Sequence, residues 1–471
     1  MKVSFVHILV TILFLNLSTT LYSEEGYKIN INIKGYQDST LLLTSYYGEK
    51  IRLIDTAYIS ETPGEFVFKG DKSLPGGIYM AVSSAKKKLF EFIIGDNQHF
   101  RLTTVTNQYV SSMKIQGSKN NKVFFDYLLK NEEYYQKSRN LSAYIDSLSD
   151  DDSDIDKYRS QLKTLNDEAV DFKLGIINKN KNLFVGRLLN SMREIEVPDS
   201  IQKSSDSTLA YRYYKSHFWD YIDMSDTCML RTPMLPRKVK KYFDQLVPLN
   251  PDSVIVAIDT VISKARPSGE VVGYFVWYFI AEYQNPKYMG FDKVFVHLVD
   301  EYFSKEDIIN TTPSILQSLQ ERANKIRPIL LDKPAPNLLL IDTLGQLVSF
   351  QNIPNDYTVL FFWDSDCGIC GQEIDEMNKV YRKTDYDFEV YAINVNSDLK
   401  KWKEAIVEKK VPGINVNGTR SATRDFHDLY DIYGTPVIYV LDSEKRIIAK
   451  RIGADKLLEF FKNYDRRNKS Q

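Results

Sequence analysis

The apolar residues of this chain change their spacing twice, and each change implies a different way of building a core. From Tyr27 to about Gly117 they alternate with polar residues in short runs, as in Lys28-Ile-Asn-Ile-Asn-Ile-Lys34, Leu41-Leu-Leu-Thr44 and Glu65-Phe-Val-Phe-Lys69. A period of two puts successive side chains on opposite faces, so these runs predict strands. Further runs at Ile78 to Val82, Leu89 to Ile94, Phe100 to Val105 and Val110 to Ile115 are punctuated by Pro75-Gly-Gly77 and Gly95-Asp-Asn97. Together they give about eight strands at roughly 8 to 12-residue spacing, the pattern of a β-sandwich. Tyr46 and Tyr47 beside Gly48 could hold a glycan or a protein partner, but strand ends and core packing produce the same pattern, and no ligand is assigned to them.

Near Ser118 the period becomes 3.6: Phe124, Phe125, Leu128 and Leu129 fall on one helical face after Lys119-Asn-Asn121. Similar stripes at Ile155 to Ile177, Leu183 to Met192 and Val254 to Ile262 are separated by turns at Val197-Pro-Asp199, Asn250-Pro251 and Asn285-Pro286. The middle of the chain, to about Arg327, is therefore expected to be mostly helical, without a fixed repeat. After Pro328 comes a second change, with Lys333-Pro-Ala-Pro336 as a stiff boundary. Beyond it lie a hairpin (Leu338 to Asp342, Leu347 to Phe350), a buried-type strand Thr358 to Trp363, a helical run through Tyr381, a strand Glu389 to Val395, a helix Leu399 to Lys409, a strand Val437 to Leu441 and a closing helix Lys456 to Tyr464. Strands alternating with helices predict an α/β sheet.

The expected architecture is thus multidomain: an N-terminal β-sandwich of unknown function at 24–117, a mostly α-helical middle domain at 118–328 and a C-terminal α/β domain at 329–471. The length of 471 residues agrees with about three domains at roughly 150 residues each. Sixty-one Lys and Arg residues stand against 62 Asp and Glu, so no global charge marks the chain for nucleic acid or an anionic membrane surface. Residues 1–23 are expected to be a signal peptide: Lys2 supplies the positive start, Val6 to Leu17 the apolar run, and Ser23 a small residue at the cleavage point, although Leu21 departs from the preferred small residue. A retained N-terminal anchor is the alternative, and membrane association follows only in that case. The run is short against the roughly 20 residues of a membrane span, and no other stretch approaches that length.

Three cysteines, Cys228, Cys367 and Cys370, exclude a disulfide-dense scaffold. His99, His217, His297 and His427 stand singly in different segments, which gives no zinc or haem spacing. The run Asp150 to Asp156 has alternating carboxylates but lacks the glycine and terminal glutamate of a calcium loop, and reads as a solvated helix start. Cys367-Gly-Ile-Cys370 follows an apolar strand and should open a helix, where unpaired backbone N–H groups stabilise a thiolate on the first sulfur. Cys367 is then the nucleophile and Cys370, three residues on, the resolving thiol. Half of a zinc ribbon looks the same, but no second ligand pair occurs in the chain.

Phe361-Phe-Trp363, Cys367-Gly-Ile-Cys370, Gln372-Glu373 and Tyr433-Gly-Thr-Pro-Val437 together resemble thioredoxin-fold thiol-disulfide oxidoreductases of the TlpA/ResA type, over roughly residues 330 to 471. The resemblance implies a cis Thr435–Pro436 bond beside the dithiol, with Thr435 and Pro436 on the substrate side. It also implies an aromatic Trp363 under the active-site loop, where a plain core tryptophan is the alternative. Glu373 would influence thiol ionisation and proton transfer, against the alternative of an ordinary exposed helical glutamate. The chain departs from the family pattern at Asp366, usually aromatic, and at Ile369 and Asp375, where prolines are common. Negative Asp366 opposes a thiolate that the helix terminus favours, so reductant, oxidant and isomerase all remain open. A peroxidase is disfavoured because Trp363-Asp-Ser-Asp366 precedes Cys367 in place of a Thr-x-x-Cys arrangement.

The wider arrangement is similar to that of exported Bacteroidetes proteins, which implies that the front two thirds recruit or orient a substrate. Cys228, in Asp226-Thr-Cys-Met-Leu230, reads as a buried apolar thiol, with a mixed-disulfide partner for Cys367 as the alternative. The resulting expectation is a periplasmic or cell-envelope enzyme that exchanges electrons with protein disulfides or dithiols, needs an upstream donor or acceptor and uses no bound cofactor. The rival is an envelope scaffold or binding protein with a vestigial thioredoxin-like domain.

Overall fold

The computed structural model describes residues 26–148, 154–305 and 308–468, so the leader at 1–23 and residues 150–153 of the acidic run lie outside the described residues. The chain divides into two compact units between Lys238 and Val239.

The first unit begins with eight strands: β1 (Tyr27–Lys34), β2 (Thr40–Tyr47), β3 (Lys50–Tyr58), β4 (Glu65–Gly70), β5 (Gly77–Ser83), β6 (Lys88–Ile94), β7 (His99–Val105) and β8 (Lys114–Gln116). They form two four-stranded sheets, ordered β4-β1-β7-β8 and β3-β2-β5-β6. The alternation seen in the sequence closes them into a sandwich: Ile29, Ile31, Ile33 and Leu102 of one sheet are fully buried, as are Leu41, Leu43 and Phe92 of the other. Phe92 meets Phe100 edge-on across the two sheets, centroids 6.1 Å apart. The strand β3 gives no alternating signal because it is a sheet edge: Ile51 and Leu53, each 62% exposed, face no core.

Helices α1 (Lys119–Asp146), α2 (Ile155–Lys179), α3 (Phe184–Ser191), α4 (Asp199–Gln202) and α5 (Leu209–His217) follow in the first unit. The change of period at Ser118 is a capping event, since the Ser118 hydroxyl accepts the Asn121 N–H as N-cap of α1. Asn121, fully buried, accepts the Ile93 N–H at 2.7 Å and donates to the Ile93 carbonyl at 2.7 Å. Its amide thereby completes the edge strand β6 as a further strand would.

Helix α6 (Met234–Leu246) carries the chain across the division, and the second unit continues with α7 (Pro251–Ala265), α8 (Gly269–Tyr283), α9 (Asp292–Leu298) and α10 (Pro313–Ile326). The α/β part follows: β9 (Leu339–Asp342), β10 (Leu347–Ser349), β11 (Tyr357–Trp363), α11 (Gly368–Lys383), β12 (Phe388–Asn394), α12 (Leu399–Lys409), β13 (Ile414–Ser421), α13 (Phe426–Tyr430), β14 (Val437–Leu441), β15 (Ile447–Lys450) and α14 (Leu457–Asn468). The seven strands lie in the order β10-β9-β13-β12-β11-β14-β15, with β11, β12 and β13 mutually parallel and β14 antiparallel to β11. Both faces are covered. Val359, Phe361 and Trp363 pack with Ile374, Met377, Trp402 and Phe461 on one side. Leu360 and Phe362 pack with Tyr391, Tyr430 and Tyr439 on the other. A strand buried on both faces reads as a continuous apolar run, which is why β11 is conspicuous in the sequence. Phe362 pairs with Val437, so the exit of β11 and the entry to β14 are neighbours, and the site forms there. Among the described residues, no helix is long and apolar enough to cross a membrane.

Candidate functional site

At the exit of β11 the backbone turns through Asp364, Ser365 and Asp366 and enters α11, with Cys367 as the N-cap residue. Cys367 and Cys370 are joined as a disulfide, their Cα atoms 5.3 Å apart. The two sulfurs differ in access: Cys367 is half-buried, whereas Cys370 is fully buried in the core. The Cys370 N–H points at Cys367 Sγ from 3.1 Å, one of the orphan donors that a helix start leaves free. Such a donor stabilises negative charge on that sulfur when the disulfide is opened.

The turn before Cys367 is held by charges that the sequence alone does not bring together. Asp364 Oδ1 accepts the Asp366 N–H at 2.9 Å and Asn396 Nδ2 at 3.0 Å, and Asn396 Nδ2 also reaches Asp366 Oδ2 at 3.0 Å. From α12, Lys401 forms an ion pair with Asp366, and Lys409 Nζ donates to the Ser365 carbonyl at 2.9 Å. The Lys401 hydrogen bond holds the Asp366 carboxyl below the ordinary carboxylate range, and Asp366 in turn raises Lys401. Lys401, Lys409 and Asn396 read as surface residues in the sequence, and no spacing relates them to Cys367.

Opposite the dithiol, the Thr435–Pro436 peptide bond is cis. Cys367 Sγ lies 3.5 Å from the Thr435 carbonyl oxygen. Thr435 and Pro436 are half-buried, while Tyr433 of the same loop is 71% exposed and Ile369, between the two cysteines, is 65% exposed. Trp363 is fully buried in the same core cluster as Cys370 and Ile374, so any contribution it makes to substrate binding runs through the loop above it. Glu373, half-buried on α11, accepts the Ala454 N–H through Oε2 at 2.8 Å and so ties the active-site helix to the 3₁₀ turn Ala454–Lys456.

The other residues singled out in the sequence are engaged elsewhere. Cys228 lies in the first unit in a 3₁₀ turn (Thr227–Arg231), half-buried and against Gly76, where an added Cβ would sit 2.7 Å from its sulfur. Burial, and after it the Asp226 carboxylate, push the Cys228 thiol up to about 12. Tyr46 donates to Glu91 at 2.6 Å, and Arg52 stacks 3.6 Å over the Tyr47 ring. Among the described residues, no group of three or more His, Cys, Asp or Glu side chains is placed to hold a metal ion.

Residues 331–450 match the AhpC/TSA family. Residues 27–124 match a domain of unknown function (DUF4369), and residues 153–326 match another (DUF5106). Among solved structures, the chain is 40% identical to a domain of a possible thiol-disulfide isomerase from Cytophaga hutchinsonii, covering 31% of this chain and 99% of that one, with a TM-score of 0.28. It is 27% identical to the thioredoxin domain of a thiol-disulfide oxidoreductase from Bacteroides vulgatus, covering 28% of this chain and 96% of that one, with a TM-score of 0.26. A thioredoxin-like protein from Bacteroides caccae is 17% identical over 57% of this chain and 99% of its own, with a TM-score of 0.45. No curated protein matches the chain.

Proposed function

The chain carries a thioredoxin-fold domain of the AhpC/TSA family at residues 331–450, and from that premise we propose that it is an exported thiol-disulfide oxidoreductase acting on protein disulfides or dithiols. The observation that carries this reading is the asymmetry of the pair: Cys367 is reachable and Cys370 is buried behind it. In the reducing direction the Cys367 thiolate attacks one sulfur of a substrate disulfide, forms a mixed disulfide and expels the other sulfur as a thiolate. The Cys370 thiolate then attacks Cys367 Sγ, closes the Cys367–Cys370 disulfide and releases the second substrate sulfur. Two electrons pass from the dithiol to the substrate, and an upstream donor restores the dithiol. Oxidation of a substrate dithiol is the same sequence reversed.

The remaining residues take roles within the same proposal. Thr435 and Pro436 face the incoming chain, and Trp363 supports the loop from below. Glu373 stands three residues after Cys370, on the same helical face, and is assigned the proton of the resolving thiol. The Trp363-Asp-Ser-Asp366 segment before Cys367, in place of a Thr-x-x-Cys arrangement, favours disulfide exchange over peroxide reduction. Export to the periplasm or cell envelope rests on the Lys2 and Val6 to Leu17 pattern, and the disulfide-permissive compartment suits this chemistry.

The test is the reduction potential of the mature chain, equilibrated in dithiothreitol or glutathione buffers, with alkylation of Cys367 and Cys370 read by mass spectrometry. A value near about −270 mV marks a reductase, and one near about −120 mV an oxidant. A pair that does not cycle would sink the enzyme reading and leave an envelope scaffold.

A further inference from the structure

Resting on the disulfide-exchange reading above, in which Thr435 and Pro436 face the substrate chain, we propose that Arg451 is a positioning residue that fixes the 431 to 438 segment relative to Cys367.

Arg451 follows the last paired residue of the β14–β15 ladder, where Tyr439 faces Lys450. Its φ is +56°, a left-handed conformation for which glycine is the default, yet the residue is a long cation. Its backbone and its side chain each make a bond there. The Arg451 N–H donates to the Ile438 carbonyl at 2.7 Å. Its guanidinium Nη2 donates to both the Asp431 carbonyl and Asp431 Oδ2, each at 3.1 Å. Asp431 is itself left-handed, with φ +52°, and is buried. One residue therefore grips both ends of the segment 431 to 438, whose middle is Tyr433-Gly-Thr-Pro436.

The grip has a firm base. The neighbouring Lys450 is buried, forms an ion pair with Asp292 of α9 and donates to the Ile329 carbonyl at 2.6 Å. What the grip holds is the Thr435 carbonyl oxygen, 3.5 Å from Cys367 Sγ. Among the described residues, the backbone of Gly434 and Thr435 has no backbone partner. Main chain without backbone partners beside a reactive sulfur, with exposed Tyr433 next to it in the chain, suits a polypeptide that adds itself in extended form. A small disulfide needs only the sulfur, so the two kinds of substrate depend differently on where the segment sits.

The full mature chain, reduced and freed of reductant, is mixed with insulin as the protein disulfide or with bis(2-hydroxyethyl) disulfide as the small one. Oxidation of Cys367 and Cys370 is followed by acid quench and alkylation. In both cases the dithiol gives two electrons to the added disulfide, whose S–S bond breaks as the Cys367–Cys370 bond forms. With Arg451→Ala, oxidation by insulin slows about tenfold, while oxidation by the small disulfide stays within about twofold. Arg451→Gly relaxes the left-handed backbone and keeps the N–H bond to Ile438 while removing the guanidinium half of the grip, so the fold is kept and the same split is expected. Arg451→Lys retains the charge without the two-acceptor reach and falls between. Equal slowing on both disulfides, or no slowing of the insulin reaction in Arg451→Gly, overturns the proposal. A wild-type chain that neither disulfide oxidises overturns the exchange reading instead, and this proposal with it.

Discussion

Asp366 places a full negative charge one residue before Cys367, and its ion pair with Lys401 offsets that charge. Both side chains are exposed, so the compensation is modest and screened by salt. Replacing Lys401 by alanine leaves Asp366 uncompensated, opposes the Cys367 thiolate and is expected to slow iodoacetamide alkylation of the reduced protein at pH 7 about threefold. Asp366→Asn acts with the opposite sign, and the double variant should return close to wild type. The measurement is the pH profile of alkylation at low ionic strength; a Lys401→Ala profile superimposed on the wild type would show that the pair is ornamental. Cys228 gives a contrasting prediction. With its thiol pushed up to about 12, Cys228 stays almost wholly protonated at pH 8. Native labelling at that pH should modify Cys367 and spare Cys228, and denaturation should equalise them, as peptide masses will report.

At the scale of single elements, Asn121 shows how one side chain joins a helix to a sheet edge. Asn121→Leu leaves the N–H and carbonyl of Ile93 buried without partners. The first unit is expected to lose about 3 kcal/mol, read as a lower urea midpoint at unchanged slope. Elements differed in how plainly the sequence declared them. The helix α12 is bounded by Asp398, whose carboxylate caps the Lys400 and Lys401 N–H groups, and its limits are those of the apolar pattern. The strand β11 is apolar throughout because both of its faces are covered. By contrast β13, Ile-Asn-Val-Asn-Gly-Thr-Arg-Ser, carries polar residues that serve the fold from inside: fully buried Asn417 donates to the Asn396 carbonyl at 2.9 Å. The strand β15 is four residues long, too short for a period to register. The same division runs through the site. Cys367 and Cys370 announce themselves by spacing, whereas Asn396, Lys401, Asp431 and Arg451 are brought to them only by the sheet order.

At the scale of the second unit, the α/β sheet is not free of the helices that precede it in the chain. Lys450 is buried at the sheet edge, where desolvation pulls its ammonium below the ordinary lysine range and the Asp292 carboxylate opposes that pull. Asp292→Ala removes the partner and leaves a buried cation, which is expected to destabilise the second unit by about 3 to 5 kcal/mol. Calorimetry of the full chain should show one transition moving down while the other stays; two unmoved transitions would mean that water replaces the carboxylate without loss. The same side chain ties β15 to the carbonyl of Ile329, and the β15 backbone N–H of Lys450 reaches Met289 Sδ at 3.2 Å. Anyone grafting the redox head onto a different carrier would naturally cut at the proline-rich boundary near residue 333. That cut would discard Met289 and Asp292, leaving an ammonium without its counterion next to the arginine that steadies the substrate loop. The transplantable cassette accordingly begins before Met289, and a shorter one would be expected to keep its disulfide while losing its hold on protein clients.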